Sequence, residues 1–125
     1  MHKSRLAGFI IDCKTDDLDR AAAFWSQALG YDIKVDDSQP KYRTLDTHRP
    51  DLHVEVQQVE HPSRVHLDIE SDDIEAEATR LEKLGAKKVE RYPRWWIMEA
   101  PTGQRFCIVR PQNESFASSA KEWQD

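Results

Sequence analysis

The sequence has few of the residues that mark secreted or membrane proteins. Its 125 residues include only 2 cysteines and 4 glycines. The apolar run near the start, residues 6–11, is too short for the core of a signal peptide or for a membrane span. We therefore expect a cytoplasmic protein without a membrane partner, in which Cys13 and Cys107 are reduced thiols and not a disulfide.

Positive charge is scarce as well. Lys and Arg total 18 against 23 Asp and Glu, which gives a formal net charge of −5. A protein that follows the phosphates of nucleic acid normally has a basic face, so we expect no nucleic-acid partner. Lys87, Lys88, Arg91 and Arg94 do cluster, but the run is typical of a solvated edge strand. The sequence also lacks a glycine-rich phosphate loop, a Cys-x-x-Cys pair and a nucleophile elbow.

What the sequence does contain is a repeat of one strand-and-helix pattern. Phe9–Asp12 aligns with Val65–Asp68, and the Leu29-Gly30 pair aligns with Leu84-Gly85 at nearly the same spacing. Between these points, each half has an acidic helix start followed by an apolar stripe at helical spacing. A glycine after the last turn is a usual helix end. Two copies of one module are therefore predicted.

Hydrophobic periodicity places the elements of each copy. Helices are predicted over 18–29 and 72–85. Strands are predicted over residues 6–13, 31–35, 41–45, 52–59, 64–69, 86–92, 95–100 and 105–110, with a turn at 36–40. In the polar tail, Phe116, Ala120 and Trp123 fall at helical spacing, which predicts a short docking helix and leaves disorder as the alternative.

These elements predict an α+β fold made of two βαβββ modules that form a cupped mixed sheet around a cavity, with the helices outside. The whole chain, 1–125, is one domain, with module one at about 6–59, module two at about 64–110 and a C-terminal tail at 111–125. Each copy alone has a curved sheet that cannot bury both faces, and this is why the two copies are expected to pair.

Alternation along residues 64–69 indicates where a site would lie. Val65, Leu67 and Ile69 point to one side, where they can pack under the helix, and His66 and Asp68 point to the other. The repeat relates Asp68 to Asp12, which form either an acid–base pair or two carboxylates that bind backbone N–H groups or an arginine.

Two further sets of residues complete the expected cavity. By alternation, one of Trp95 and Trp96 faces it, where an indole suits a flat or apolar ligand. Glu55 and Gln57 lie on one face of the last strand of module one.

The chain resembles the vicinal-oxygen-chelate superfamily, which includes glyoxalase I, bleomycin-resistance proteins and extradiol dioxygenases. The resemblance covers about residues 6–111. It depends on residues 17–25 and 29–31 in the first half, and on 65–68, 84–86 and 100–107 in the second. The combination of Phe24-Trp25, His66-Leu67-Asp68 and Phe106-Cys107 is most similar to the glyoxalase-like subgroup.

The resemblance implies a set of metal-ligand positions, one on the first strand and one near the last strand of each half. His66 occupies the position on the first strand of the second half, and Cys107 corresponds to the position on its last strand. In the first half, Ile10 cannot bind a metal, and Glu55 or Gln57 falls near the last-strand position. Metal-using relatives thus imply His66 and Glu55 as metal ligands, but two of the four positions are poor.

Two functions follow from this comparison. The favoured one is a metal-independent protein that binds an unidentified small molecule in the cavity, lined by His66, Asp68, Glu55, Gln57, Cys107 and Trp95 or Trp96. No cofactor is expected in this case. The alternative is a metal-dependent lyase or dioxygenase in which His66 anchors a divalent metal. The resemblance also implies a homodimer, with Phe116 and Trp123 available to cover a partner.

Overall fold

A computed structural model describes residues 1–35 and 39–125, so part of the turn predicted at 36–40 lies outside the described residues. The elements in chain order are β1 (His2–Lys14), α1 (Leu18–Leu29), β2 (Asp32–Ile33), β3 (Tyr42–Asp46), β4 (His53–Val59), β5 (Arg64–Ser71), α2 (Ile74–Lys83), β6 (Lys87–Arg91), β7 (Trp95–Glu99), β8 (Arg105–Val109), α3 (Ser115–Ser119) and β9 (Lys121–Trp123). They form two compact units. The first-module unit is Gly8–Val65, and the second-module unit combines Met1–Ala7 with His66–Asp125.

In the first-module unit, β1 pairs in parallel with β4, and β3 and β2 follow as antiparallel neighbours. Helix α1 covers one face of this sheet and buries Leu18 and Ala22 against Leu45, Val54 and Val56. β1 and β4 run so close together at Gly8 that a Cβ there would lie 1.7 Å from the backbone oxygen of His53. Only glycine fits there, which explains the gap in an otherwise bulky apolar run.

Helix α1 has the bounds that the apolar stripe predicts. The side chain of Asp17 accepts a hydrogen bond from the backbone N–H of Arg20 at 3.1 Å and caps the N-terminus. Gly30 ends the helix with φ of 75°, in the left-handed region that residues with a Cβ rarely adopt.

The second-module unit repeats the same connectivity. β5 pairs in parallel with β8, and β7 and β6 follow as antiparallel neighbours, with a bulge in β6 between Lys88 and Glu90. Helix α2 starts at the cap residue Asp73, which accepts from the N–H of Ala76 at 3.0 Å. Its core consists of Ile74, Ala78, Met98, Phe106 and Ile108. The predicted α+β class with two βαβββ modules is confirmed.

The apolar face of β5 is covered less than the alternation predicted. Ile69 packs against the core under α2, but Val65 and Leu67 remain 60% and 42% exposed within the chain. The expectation that all three pack under the helix is therefore wrong. Within the second-module unit, α2 packs over β6, β7 and β8, and Leu67 of β5 is not covered by the helix.

The tail is ordered, but it is not one helix. α3 ends at Ser119, because Ala120 is extended with ψ of 147°. The chain then forms β9, which pairs antiparallel with the start of β1, so that Trp123 lies opposite His2. Helical spacing predicted Phe116 correctly as a helix residue and Trp123 wrongly. Phe116 is buried within its own chain, so the expectation that it is available to cover a partner is wrong. β1 is correspondingly longer than predicted, because its residues 2–4 pair with β9.

Among the described residues, no helix is both long enough and apolar enough to cross a membrane.

Candidate functional site

Three side chains capable of binding a metal or a polar ligand meet on one face of the second-module sheet. His66 and Asp68 alternate with Leu67 and Ile69 along β5, and Asp68 lies directly opposite Cys107 of β8. Nε2 of His66 is 3.5 Å from Oδ1 of Asp68. One ligand atom from each of the three residues lies within 4.8 Å of the others. We call these three residues the donor triad.

The donor triad is partly screened from water but not sealed. The side chains of His66 and Asp68 are 13% and 15% exposed, and Cys107 is half-buried. The core under α2 is formed by the alternate residues Phe106 and Ile108, so the triad lies on the opposite face from α2. A ligand can therefore approach this face without displacing the helix.

Apolar and aromatic groups adjoin the triad on the same face. Ile97 of β7 pairs with Cys107, and Trp95, two residues away, pairs with Val109. The Trp95 ring is stacked on Tyr92, with centroids 4.6 Å apart and planes 14° from parallel. A hydrogen bond with Glu90, followed by partial desolvation, raises the pKa of the Tyr92 phenol, so the ring stays uncharged at neutral pH. The triad thus has a flat, neutral flank.

Trp96, the other indole considered for the cavity, lies on the opposite face of β7. It packs against the core under α2, and its Nε1 donates to Oε1 of Glu75 at 3.0 Å. The ammonium of Lys88 lies 5.1 Å from the ring centroid. Alternation required one indole to face each way, and the structure assigns the triad face to Trp95.

Glu55 and Gln57 belong to the first-module unit. They lie on the face of β4 opposite to Val54 and Val56, which pack under α1. Glu55 is in contact with His53, whose Nε2 is 2.6 Å from the carboxylate. Gln57 pairs with Asp12 across β1 and β4.

Asp12 is a buried carboxylate next to an arginine, which is the second of the two arrangements that the sequence left open. Its carboxylate is almost fully buried, with Nε of Arg64 at 3.8 Å and Nε2 of His61 at 4.0 Å. The positive charge of Arg64 stabilises this buried carboxylate, so a structural role explains Asp12 without a catalytic one. His61 was not identified as a neighbour from the sequence, because no local pattern relates it to Asp12.

The donor triad contains His66 and Cys107 from the implied ligand positions, but its carboxylate is Asp68 and not Glu55. An imidazole nitrogen, a carboxylate oxygen and a thiol sulfur are the three ligand types that Zn²⁺ binds in proteins, and three protein ligands leave one coordination position open. The same groups can also hydrogen-bond a ligand oxygen directly. Asp68 was expected to line the site but not to serve as a metal donor. Asp68 lies opposite Cys107 because of the register of β5 against β8.

Two neighbours of the predicted site residues were not themselves predicted as site residues, although alternation puts His53 on the same strand face as Glu55. Tyr92, which stacks on Trp95, is placed by the tight turn between β6 and β7, where its N–H donates to the Trp95 carbonyl at 2.9 Å. His53, the partner of Glu55, is two residues away on the same strand face. The i, i+2 spacing of His53 and Glu55 was a usable signal.

Comparison with known proteins supports this arrangement of elements. A family model described as a glyoxalase-like domain matches residues 8–109. A search of curated proteins found no match.

Three solved structures illustrate the likeness of fold. A hypothetical protein from Bacillus halodurans C-125 is similar at 12% identity over 89% of this chain and 96% of its own, with a TM-score of 0.62. A variant of Streptomyces coelicolor methylmalonyl-CoA epimerase in complex with 2-nitronate-propionyl-CoA is similar at 18% identity over 87% and 98%, with a TM-score of 0.57. A glyoxalase/bleomycin resistance protein/dioxygenase superfamily member from Vibrio splendidus 12B01 is similar at 16% identity over 86% and 100%, with a TM-score of 0.54.

Proposed function

The chain belongs to the glyoxalase-like domain family, and from this premise we propose that it binds a small organic molecule on the sheet face that carries the donor triad. The observation that carries the proposal is the convergence of His66, Asp68 and Cys107 within 4.8 Å on a face that α2 does not cover. Three polar side chains gathered on a partly buried sheet face have little structural purpose of their own, because a strand can bury apolar residues there at less cost.

The surroundings of the triad indicate the type of ligand. His66 and Asp68 can donate to and accept from hydroxyl, carbonyl or carboxylate oxygens. Ile97, Val109 and Trp95 supply apolar surface next to them. We therefore expect a molecule with oxygen atoms at one end and a flat or apolar body at the other, which is the usual composition of a ligand site.

The relatives support small-molecule binding as a class. A structural neighbour, methylmalonyl-CoA epimerase, is known in complex with methylmalonyl-CoA, and bleomycin-resistance relatives are part of the same superfamily. At 17% identity the epimerase shares the fold and lends no substrate. Binding without catalysis is the function we propose first.

A fragment screen by NMR tests the binding proposal, because the chain is only 14.6 kDa. The probes are a library of small hydroxy acids, catechols and carboxylic acids, together with methylmalonyl-CoA. We expect the amide signals that move to cluster at His66, Asp68, Cys107 and Trp95. His66→Ala should abolish these shifts, and His48→Ala, which removes an exposed imidazole elsewhere, should not.

The binding proposal is overturned if the shifting signals cluster away from the triad. It is also overturned if His66→Ala leaves them unchanged while the variant keeps the wild-type spectrum elsewhere.

The second candidate function is a metal-dependent lyase or dioxygenase of the glyoxalase-like type. It is favoured by one observation, the mixed N, O and S donor set of the triad. His66, Asp68 and Cys107 would hold the metal, and a bound divalent ion would supply a Lewis acid for a substrate oxygen. This set differs from the His66 and Glu55 pair implied by the resemblance, because it replaces Glu55 with Asp68 and Cys107.

Metal analysis separates the two candidates. Protein purified without chelator and then supplied with Zn, Ni, Fe and Mn is measured by elemental mass spectrometry. A stoichiometric metal that is lost in His66→Ala and in Cys107→Ser supports the second candidate. Protein that stays metal-free but still binds the NMR probes supports the first.

We also propose a homodimer in the cytoplasm. Exposed apolar side chains such as Phe24, Val65 and Leu67 are available to be covered by a second copy. Cys13 and Cys107 are free thiols, as a reducing compartment favours. Light scattering at micromolar concentration should give twice the mass of 14.6 kDa, and the monomer mass would contradict the proposed dimer.

A further inference from the structure

A buried ionic cluster joins the start of β1, helix α2 and the tail within the second-module unit. Its centre is His2, whose side chain has no exposure to solvent. Nε2 of the imidazole lies 2.8 Å from Oε1 of Glu77, and Nδ1 lies 2.5 Å from Oδ1 of Asp125. Both ring nitrogens therefore face carboxylate oxygens.

This geometry requires the imidazole to be protonated. Ionised carboxylates only accept hydrogen bonds, and a neutral imidazole has one N–H donor and one acceptor nitrogen. Only the imidazolium can donate to Glu77 and Asp125 at the same time. When the proton leaves, one nitrogen presents a lone pair to a carboxylate oxygen, and one of the two contacts must open.

The contact that opens is decided by the other partners of the two carboxylates. Glu77 is fully buried and is held by Nε and the second guanidinium nitrogen of Arg80, at 2.8 and 2.9 Å. Asp125 is 39% exposed, and its further partner is the amino group of Met1 at 3.0 Å, itself 58% exposed. Water can replace the partners of Asp125 but not those of Glu77, so Asp125 is the group that leaves.

Among the described residues, the charged groups around His2 belong to this cluster. α2 contributes Glu77 and Arg80, the tail contributes Asp125, and Met1, which precedes β1, contributes its amino group to Asp125. The guanidinium of Arg80 also lies 3.9 Å from the ring centroid of Trp123, whose Nε1 donates to Ser4 at 2.8 Å. Lys3 and Glu122, by contrast, are offset by one residue on their strands and face the other way.

We propose that the His2 imidazolium, held between Glu77 and Asp125, is a pH-sensitive latch that fixes the segment from β9 to Asp125 against β1 and α2. Loss of its proton releases Asp125 and loosens β9. The uncovered backbone is the edge of β1 at residues 2–4, a strand edge able to pair with another chain. The latch is independent of the donor triad and of the function proposed for it.

The electrostatic environment sets the pH range of the latch. Burial opposes protonation of His2, but the hydrogen bonds with Glu77 and Asp125 and their negative charges outweigh it and raise the pKa of His2 above 6.5. Because the folded-state pKa is raised, the stabilisation is complete below pH 6.5 and is lost as the pH rises through the folded-state value. Release is therefore expected as the pH rises above 6.5.

NMR between pH 5.5 and 9.5 tests the latch on the full chain. The ring signals of His2 report its protonation, and the ordinary imidazole pKa of 6.5 is the reference. Hydrogen exchange of the Lys121 and Trp123 amides, corrected for the base-catalysed rate, reports docking of β9. We expect His2 to titrate above pH 6.5 and the protection of β9 to fall at least tenfold across the His2 titration.

Two tail variants make the test specific. In Asp125→Asn the carboxamide can accept from an N–H or donate to a lone pair, so docking should no longer depend on the His2 proton and the step in protection should vanish. Glu122→Gln changes a charge on the opposite face of the same strand and should keep the step. The latch is ruled out if His2 titrates at or below pH 6.5, if β9 protection is constant across the His2 titration, or if Asp125→Asn shows the wild-type step.

Discussion

Glu77 is a carboxylate on α2 whose side chain is fully buried. Burial opposes its ionisation, but hydrogen bonds from Arg80, His2 and Ser4 outweigh this effect and lower its pKa below 4.5. The net stabilisation by a buried ion pair is small, but removal of one partner is costly because the other charge stays buried without it. Without Glu77, the Arg80 guanidinium would lose its buried counter-charge, and the His2 imidazolium would keep only Asp125.

We predict that Glu77→Ala lowers the free energy of unfolding by about 3–5 kcal/mol, the usual cost of breaking a buried ion pair from one side. Glu75→Ala is the matched control on the same helix. Its carboxylate pairs with Arg91 at 2.5 Å but is 57% exposed, so the expected loss is about 0–1 kcal/mol. Urea unfolding at pH 6 measures both. Equal losses in the two variants would contradict the prediction.

At the scale of elements, both long helices begin in the same way. Asp17 and Asp73 each accept a hydrogen bond from the backbone N–H three residues on. The negative side chain also suits the positive end of the helix dipole. These local contacts are why the acidic helix starts in the sequence located the N-termini of α1 and α2 correctly.

Asp73→Ala should destabilise the protein by about 1 kcal/mol, because the N–H of Ala76 loses its acceptor. Asp73→Asn keeps an oxygen acceptor in the same place, and it should recover most of this loss. The midpoint of urea unfolding, measured for both variants and the wild-type protein, tests this prediction. If the Asn variant is as unstable as the Ala variant, the cap contributes through its charge and not through its hydrogen bond.

At the scale of the whole molecule, titrating groups with opposite shifts determine how stability depends on pH. A hydrogen bond from Arg91 lowers the pKa of Glu75, and one from the amino terminus lowers the pKa of Asp125. The pKa of Glu77 is also lowered, as described above. Their contribution is present above pH 4.5 and is lost as the pH falls through the folded-state values. His2, with a raised pKa, contributes below pH 6.5 and less above it.

We therefore predict that the free energy of unfolding is highest between about pH 4.5 and pH 6.5 and falls on both sides. Urea unfolding from pH 3 to pH 9 measures the profile. In Asp125→Asn, the free energy of unfolding should depend less on pH above pH 6.5. Most of its decrease at acid pH should remain, because Glu77 still titrates there. A wild-type profile that rises steadily from pH 6.5 to pH 9 would contradict the assignment of His2.

The candidate site was predictable only in part from the sequence. Alternation along one strand put His66 and Asp68 on the same face, because successive side chains of a strand point to opposite sides whatever the fold. Cys107 came from the family resemblance. Its position opposite Asp68, which makes three donors meet, depends on the register of β5 against β8, and no local property of either strand specifies that register.

Local patterns in the sequence specify the repeat, the helices α1 and α2 and the order of strands, because caps, apolar stripes and alternation act between residues close in the chain. The conformation of the tail depends on tertiary packing. The spacing of Trp123 favours a helix, but pairing with β1 and the contact with Arg80 place it in a strand. His2, Glu77 and Asp125 come from both ends and the middle of the chain, and only the packed fold could bring them together.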